Sequence, residues 1–163
     1  MIPYGKQDVT KEDIKSVVNI LNSDFLTQGP AVPLFEKSLC DYTGAEYSIA
    51  VNSATSALHI ACLSLDLKKG DILWTSAISF VASANCAIYC GAEVDFVDVD
   101  SDSGLMSVDA LRSKLLKAKS ANTLPKIVIP VHLAGQSCNM KEIFKLSKEF
   151  NFRIIEDAAH AIG

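Results

Sequence analysis

Apolar residues recur along this chain with helical spacing up to about residue 45, and in short continuous runs after it. The first part predicts a helix that Thr10 caps, a loop over 23–33, and a short helix from Leu34 to Leu39 that ends at Gly44. We therefore expect residues 1–33 to form an N-terminal arm that precedes the main domain, which would occupy 34–163.

The sequence pattern of the main domain predicts alternating strands and helices. Apolar runs predict five strands, at 47–51, 71–75, 94–97, 126–131 and 153–156. Helical patterns lie over 54–65 and 80–89, after Ser107 with a stripe of Val108, Leu111, Leu115 and Leu116, and around Met140, Ile143, Phe144 and Leu146. Strands that are apolar throughout and are each followed by a helix indicate an α/β fold of three layers, a mostly parallel sheet with helices on both faces.

Composition narrows the functional classes. Apolar residues make up 49% of the chain, enough for a core, and the net charge of −4 provides no basic surface for nucleic acid. Without a membrane-length apolar run or a signal-peptide pattern, a cytoplasmic protein is the default prediction. The odd number of cysteines and the absence of a C-x-x-C pair favour buried, reduced thiols, although Cys86 and Cys90 also have the spacing of a metal-binding helix face.

Three segments that follow predicted strands carry candidate chemistry. Residues 52–57 open a helix whose free N–H groups could bind a phosphate, or in which Ser53 or Thr55 simply caps the helix. Phe80 could stack on a flat ring or belong to the core. Asp157 and His160, separated by two alanines, suit either a ligand site or an Asx turn. Because strand ends meet at one edge of a parallel sheet, together they would suit a phosphorylated aromatic cofactor.

The chain resembles the DegT/DnrJ/StrS family of nucleotide-sugar aminotransferases, which are pyridoxal 5'-phosphate (PLP) enzymes of fold type I. The resemblance rests on six segments in family order, LTQGP (26–30), VNSATSAL (51–58), SFVASAN (79–85), GAEVDFVDVD (91–100), PVHLAG (130–135) and EDAAHAIG (156–163). Residues 52–56 and His160 are most similar to the pseudaminic-acid branch of this family. That branch aminates C4 of a UDP-linked 4-keto-6-deoxy amino sugar, with L-glutamate as donor.

The resemblance implies a role for each matching residue. The PLP phosphate would be held by the segment made of Ser53, Ala54, Thr55 and Ser56. Phe80 would stack on the pyridine ring, Asp157 would bind the ring nitrogen, and His160 would contact the phenolic oxygen. The sugar nucleotide would be placed by Tyr4, Asp24, Phe25, Leu26 and Thr27. The resemblance also implies a homodimer that uses no metal.

The family's Schiff-base lysine has no counterpart in the chain, so we expect it beyond residue 163 and expect this chain alone to be inactive. Other interpretations remain open: another aminotransferase of the family, a family sugar dehydratase with histidine in place of that lysine, or a non-catalytic regulatory member. A nucleotide-binding domain for NAD or S-adenosylmethionine is disfavoured, because no G-x-G-x-x-G turn occurs.

Overall fold

The structure is a computed structural model and describes residues 6–162. The chain divides into two compact units, Met1–Ala50 and Val51–Gly163.

The first unit contains two helices. Helix α1, Lys11–Leu21, begins as predicted: the Thr10 hydroxyl accepts a hydrogen bond from the Asp13 N–H at 3.2 Å, and the Asp13 carboxylate accepts one from the Thr10 N–H at 2.8 Å. This reciprocal capping satisfies two N–H groups that have no partner inside the helix.

Helix α2, Ala31–Thr43, is longer than the sequence predicted and begins inside the expected loop. Pro33 lies in its first turn, where a missing backbone N–H costs no intrahelical bond, so the proline does not interrupt the helix. Gly44 ends α2 in the left-handed conformation with φ +75°, as predicted.

The predicted strand at 47–51 is wrong. None of residues 6–162 pairs with this segment, and Tyr47 and Ile49 are almost fully exposed. A strand exists only through hydrogen bonds to a neighbour, so an apolar, β-branched run without one stays irregular.

The other four predicted strands form the sheet of the second unit. They are β1 (Ile72–Ser76), β2 (Glu93–Val97), β3 (Ile127–Ile129) and β4 (Arg153–Ile154), all parallel, in the order β2-β1-β3-β4. The last two are shorter than predicted, but a bridge between Val131 and Asp157 continues their pairing to the carboxyl edge.

Helices cover both faces of this sheet, which confirms the three-layer α/β architecture. They are α3 (Ala54–Ser64), α4 (Ala82–Tyr89), α5 (Val108–Ala121) and α6 (Met140–Phe150). One core joins α3 and α4 to strand residues such as Leu73 and Ile129, and the other joins α5 and α6 to Trp74 and Val128. Strand residues alternate between the two cores because successive side chains point to opposite faces.

Two predicted core positions are wrong. Leu116 and Phe144 are more than half exposed, while Ala118 and Phe150 take the buried places on their helices. Within residues 6–162, no helix has both the length and the apolar character needed to cross a membrane.

The direction of α3 decides where its N-terminus lies. A short connection that contains Asp66 and Asp71 leads from the end of α3 to β1. Lys126, immediately before β3, donates hydrogen bonds to the Asp66 carbonyl and, at 2.8 Å, to the Asp71 carboxylate. The C-terminus of α3 is therefore at the amino edge of the sheet. An eleven-residue helix rises about 16 Å, similar to a five-residue strand, so its N-terminus lies towards the carboxyl edge.

Candidate functional site

The backbone of Asp157 is fixed at the carboxyl edge of the sheet. Its N–H donates to the Pro130 carbonyl and its carbonyl accepts from the His132 N–H, both at 3.0 Å. These bonds continue the β3–β4 ladder beyond the regular strands, so the side chain leaves the sheet from a rigid position.

The Asp157 side chain meets α4, which follows β1. The Ser83 hydroxyl donates to Asp157 Oδ2 at 2.6 Å, and the Ser79 hydroxyl lies 2.8 Å from Ser83 Oγ. Ser83 is fully buried and Asp157 is 8% exposed. A sheet residue and a helix residue 74 positions apart thus share one short, buried hydrogen bond.

The Asp157 carboxylate lacks a cationic partner in the described part of the chain, where no lysine, arginine or histidine forms a salt bridge with it. Among residues 6–162, its other oxygen, Oδ1, accepts a single long hydrogen bond of 3.3 Å, from the Ala159 N–H. A buried carboxylate is costly unless a donor or a positive charge compensates it. This buried carboxylate therefore suits a ligand that can donate to it from a cationic N–H group.

The N-terminus of α3 has the features expected of an anion site. Ser53 is the N-cap, and its hydroxyl accepts from the Ser56 N–H at 3.2 Å. The next two residues, Ala54 and Thr55, lie in the first turn, where N–H groups have no intrahelical partner and the helix dipole is positive. The half-buried Thr55 and Ser56 hydroxyls add donors to the same turn.

Phe80 lies immediately before α4 and is 70% exposed. Its carbonyl accepts from the Ser83 N–H at 3.1 Å, so the backbone that carries the ring is tied to the residue that binds Asp157. Among residues 6–162 this side chain is therefore not part of a core, and its ring is accessible to a flat ligand.

His160 is exposed, three residues after Asp157, in a turn that the Ala161 N–H closes on the Ala158 carbonyl at 2.9 Å. Gly135 packs against this turn. It has φ +87°, and a Cβ there would lie 2.9 Å from the His160 carbonyl oxygen, so only glycine allows this close approach. The structure thus brings Asp157 and His160 together, and the role of His160 stays a prediction.

His132 has a structural role. Its Nδ1 accepts from the Cys138 N–H at 3.1 Å, so Nε2 carries the proton and donates to the Glu156 carboxylate at 2.8 Å. The ring is buried and joins the ends of β3 and β4. Sequence reasoning missed this pair because its residues lie on different strands.

Ser83 was also missed. It is one of several small residues on a short helix, and nothing in the local pattern distinguishes it from residues that pack. The available signal was the pair Ser79 and Ser83, four residues apart at the start of a helix that follows a strand.

The predicted substrate residues all belong to the first unit. Tyr4 lies outside the described residues. Asp24, Phe25, Leu26 and Thr27 form an exposed loop in which Ser23 accepts from the Phe25 N–H at 3.3 Å. Gly29 packs closely against this loop, and a Cβ there would come within 2.7 Å of the Phe25 Cβ. Their part in substrate binding stays a prediction.

Among the cysteines, Cys62, Cys86 and Cys138 are buried and all five are free thiols. A hydrogen bond that the Cys62 thiol donates to Cys86, together with burial, raises the pKa of Cys62. Cys62 and Cys86 pack as small apolar groups in the core formed with α3 and α4, whereas Cys138 belongs to the core formed with α5 and α6.

Relatives and solved structures share both sequence and fold with this chain. It is 36% identical over 163 residues to the UDP-4-amino-4,6-dideoxy-N-acetyl-β-L-altrosamine transaminase of Campylobacter jejuni, covering the whole chain and 42% of that protein. It is 37% identical to the spore coat polysaccharide biosynthesis protein SpsC of Bacillus subtilis, covering 99% of the chain and 40% of that protein.

Among solved structures, Helicobacter pylori PseC, an aminotransferase of pseudaminic acid biosynthesis, matches with a TM-score of 0.87 and 33% identity over 98% of this chain and 42% of its own. Spr1654 of Streptococcus pneumoniae, solved in a PLP form, matches with a TM-score of 0.87 and 29% identity over 99% of this chain and 44% of its own.

The chain spans about two fifths of the length of the curated relatives it matches. The sequence model of the DegT/DnrJ/EryC1/StrS aminotransferase family matches residues 7–163, which include each of the described site segments. This chain belongs to the DegT/DnrJ/EryC1/StrS aminotransferase family.

Proposed function

We propose that the protein containing this chain is a PLP-dependent aminotransferase that aminates C4 of a UDP-linked 4-keto-6-deoxy amino sugar, with L-glutamate as donor. The observation that carries the proposal is the buried Asp157 carboxylate, which lacks a cationic partner among residues 6–162 and lies at the carboxyl edge of the sheet. Open α/β sheets bind their ligands at this edge.

The residues of the site fit PLP in chemical type. Asp157 would accept from the protonated ring nitrogen and so compensate its own buried charge. Phe80 would supply the stacking face, and the first turn of α3, with Ser53, Ala54, Thr55 and Ser56, would hold the phosphate. The exposed His160 would contact the phenolic oxygen.

When bound, PLP would act as the electron sink for proton removal at the amino-bearing carbon. The contribution of Asp157 is to keep the ring nitrogen protonated, because a carboxylate beside that nitrogen favours the charged form. Low exposure strengthens this hydrogen bond, since little water competes for either partner. Phe80 would stack on the ring and exclude water from that side of it.

The substrate assignment rests on relatives. The Campylobacter transaminase and PseC both carry names from this sugar chemistry. SpsC belongs to polysaccharide biosynthesis, which supports a sugar substrate without specifying which one. Tyr4 and residues 24–27 are our proposed contacts to the sugar nucleotide, and a homodimer is the proposed assembly.

A PLP-dependent sugar dehydratase is the second candidate, because the residues of this chain would hold the cofactor equally well in both reactions. The lysine or histidine that separates the two would lie outside the chain. The products also separate them: an aminotransferase leaves the amino group of glutamate on the sugar, and a dehydratase leaves a sugar that has lost a hydroxyl group and gained no nitrogen.

The experiment uses the protein expressed from the complete reading frame, with PLP, L-glutamate and the UDP-linked keto sugar. We expect one 2-oxoglutarate for each amino sugar formed. In Asp157→Asn, which keeps the shape but removes the charge, we expect turnover to fall at least about a hundredfold, as is typical for loss of a charge that stabilises the transition state. A sugar product that has lost a hydroxyl group and carries no new amino group would establish the dehydratase, and full activity of the variant would remove Asp157 from the mechanism.

A further inference from the structure

We propose that Ser83 is a positioning residue for the cofactor site, the middle member of a hydroxyl chain, Ser79–Ser83–Asp157, that fixes the orientation of the Asp157 carboxylate and leaves Oδ1 for the ring nitrogen. This inference rests on the proposed function. It deepens it by adding two serines that hold the carboxylate from a different element of the fold.

The direction of the chain follows from what each group can donate. An ionised carboxylate only accepts, so the single proton of Ser83 must point to Asp157 Oδ2, 2.6 Å away. The Ser83 oxygen is then free to accept from the Ser79 hydroxyl at 2.8 Å, a shorter contact than the 3.0 Å between that hydroxyl and the Phe80 carbonyl, which is the other acceptor for its single proton. Ser79 thereby orients Ser83, and Ser83 orients Asp157.

Burial makes this orientation effective. Ser83 is fully buried, so no water replaces its hydroxyl, and the 2.6 Å separation is typical of a strong O–H···O⁻ bond. The backbone of Asp157 is already held by Pro130 and His132. Freedom remains only in the side-chain torsions, and the Ser83 bond removes it.

The two oxygens of the Asp157 carboxylate thus differ in their hydrogen-bond partners. Oδ2 is used by Ser83, whereas Oδ1 has only the 3.3 Å contact with the Ala159 N–H. Oδ1 is therefore the oxygen with an acceptor site for an incoming N–H donor. Without Ser83 the carboxylate would rotate, and the acceptor would no longer face one direction.

The test uses two probes, pyridoxamine 5'-phosphate and its 1-deaza analogue, which has C–H where the ring nitrogen would be. Their ratio of dissociation constants isolates the contact with Asp157, because phosphate and stacking contacts are common to both. We expect the full protein to prefer the nitrogen-containing probe, and Ser83→Ala to reduce this preference about tenfold, the effect of one charge-assisted hydrogen bond. Ser79→Ala, one step further away, should reduce it less.

The matched control is Ser147→Ala. Ser147 is also buried and on a helix, α6, but its hydroxyl donates to the Phe144 carbonyl at 2.8 Å, away from Asp157. This variant should keep the full preference. Ser83→Thr, which retains the hydroxyl, should keep most of it. A second readout is the ¹⁵N resonance of the bound ring nitrogen, which should move towards the unprotonated value in Ser83→Ala and stay unchanged in Ser147→Ala.

The outcomes separate this inference from the proposed function. If Asp157→Asn abolishes the preference while Ser83→Ala retains it and the ¹⁵N resonance, the positioning role is overturned and the cofactor site stands. If Asp157→Asn also retains the preference, the proposed function itself fails. An equal loss in Ser83→Ala and Ser147→Ala would reduce Ser83 to a general packing residue and overturn its positioning role.

Discussion

The two units of this chain have similar fractions of apolar residues but differ in how far those residues are buried. In the first unit, no residue between 6 and 50 is buried, and α1 leaves Val17 and Leu21 at least 60% exposed. In the second, both faces of the sheet pack against helices, and residues such as Leu111 and Leu146 are completely buried.

The difference teaches that periodicity predicts an element and its apolar face but not what covers that face. Helix α1 has a cap and an amphipathic pattern, and both are present in the structure. Burial depends on a second element that packs against the first. A strand order of β2-β1-β3-β4 supplies that partner for α5 and α6, whereas the described part of the first unit has no sheet.

The largest expected effect comes from removing core atoms in the second unit. Leu146→Ala should lower the free energy of unfolding by about 2–5 kcal/mol, because the buried side chain leaves a cavity. The matched Leu21→Ala, at a 64% exposed position on α1, should change it by less than about 0.5 kcal/mol. Urea denaturation followed by Trp74 fluorescence measures both. Equal losses would contradict the contrast between the units.

Two glycines with positive φ provide the next test. Gly135→Ala should destabilise by about 2–3 kcal/mol, since it combines left-handed strain with a 2.9 Å approach to the His160 carbonyl. Gly44→Ala in the first unit has φ +75° but no atom within 4 Å, so only the strain of about 1 kcal/mol remains. Gly135→Ala should also weaken cofactor binding, which equilibrium dialysis would detect. An unaltered site would show that the His160 turn does not depend on Gly135.

Helix caps give a smaller contrast. Ser107 accepts from the Ala110 N–H at 3.2 Å at the start of α5, and Ser107→Ala should cost about 1 kcal/mol of the second unit's stability. Thr10→Ala removes a similar cap from α1. It should reduce helical circular dichroism without moving the Trp74 transition. A shift of that transition in Thr10→Ala would show that α1 contributes to the stability of the second unit.

The smallest effect is a dependence on pH. The hydrogen bond from Lys126 holds the pKa of Asp71 below its ordinary value of 3.8. Because the folded pKa is lower, this stabilisation is present above about pH 4 and is lost as the pH falls through the folded value. Asp71→Asn should therefore lose stability of at most about 1 kcal/mol at pH 7, and a smaller amount at pH 2.5. Asp41→Asn, in an exposed pair on α2, should leave the Trp74 transition unchanged at both values. An equal loss in Asp71→Asn at both pH values would contradict this assignment.

The sequence predicted most of the second unit because its signals are local. Caps at Ser53 and Ser107 and apolar runs for β1 to β4 lie where the structure has them. The strand at 47–51 failed because pairing is not a local property. The prediction for α2 was too short because it placed a loop over 23–33, although Pro33 lies in the first turn of the helix, where a proline is tolerated.

The candidate site was predictable only in part. Asp157, Phe80 and the α3 N-terminus follow from their positions at the ends of elements. The Ser83–Asp157 and His132–Glu156 pairs depend on which elements become neighbours, and no spacing along the chain encodes that.

The central claim is that the carboxyl edge of this sheet holds PLP. A crystal structure of the complete protein with PLP tests it most directly. The account predicts the ring nitrogen within hydrogen-bond distance of Asp157 Oδ1, the ring against Phe80, and the phosphate on the first turn of α3. A cofactor bound elsewhere, or Oδ1 occupied by a protein side chain, would contradict it.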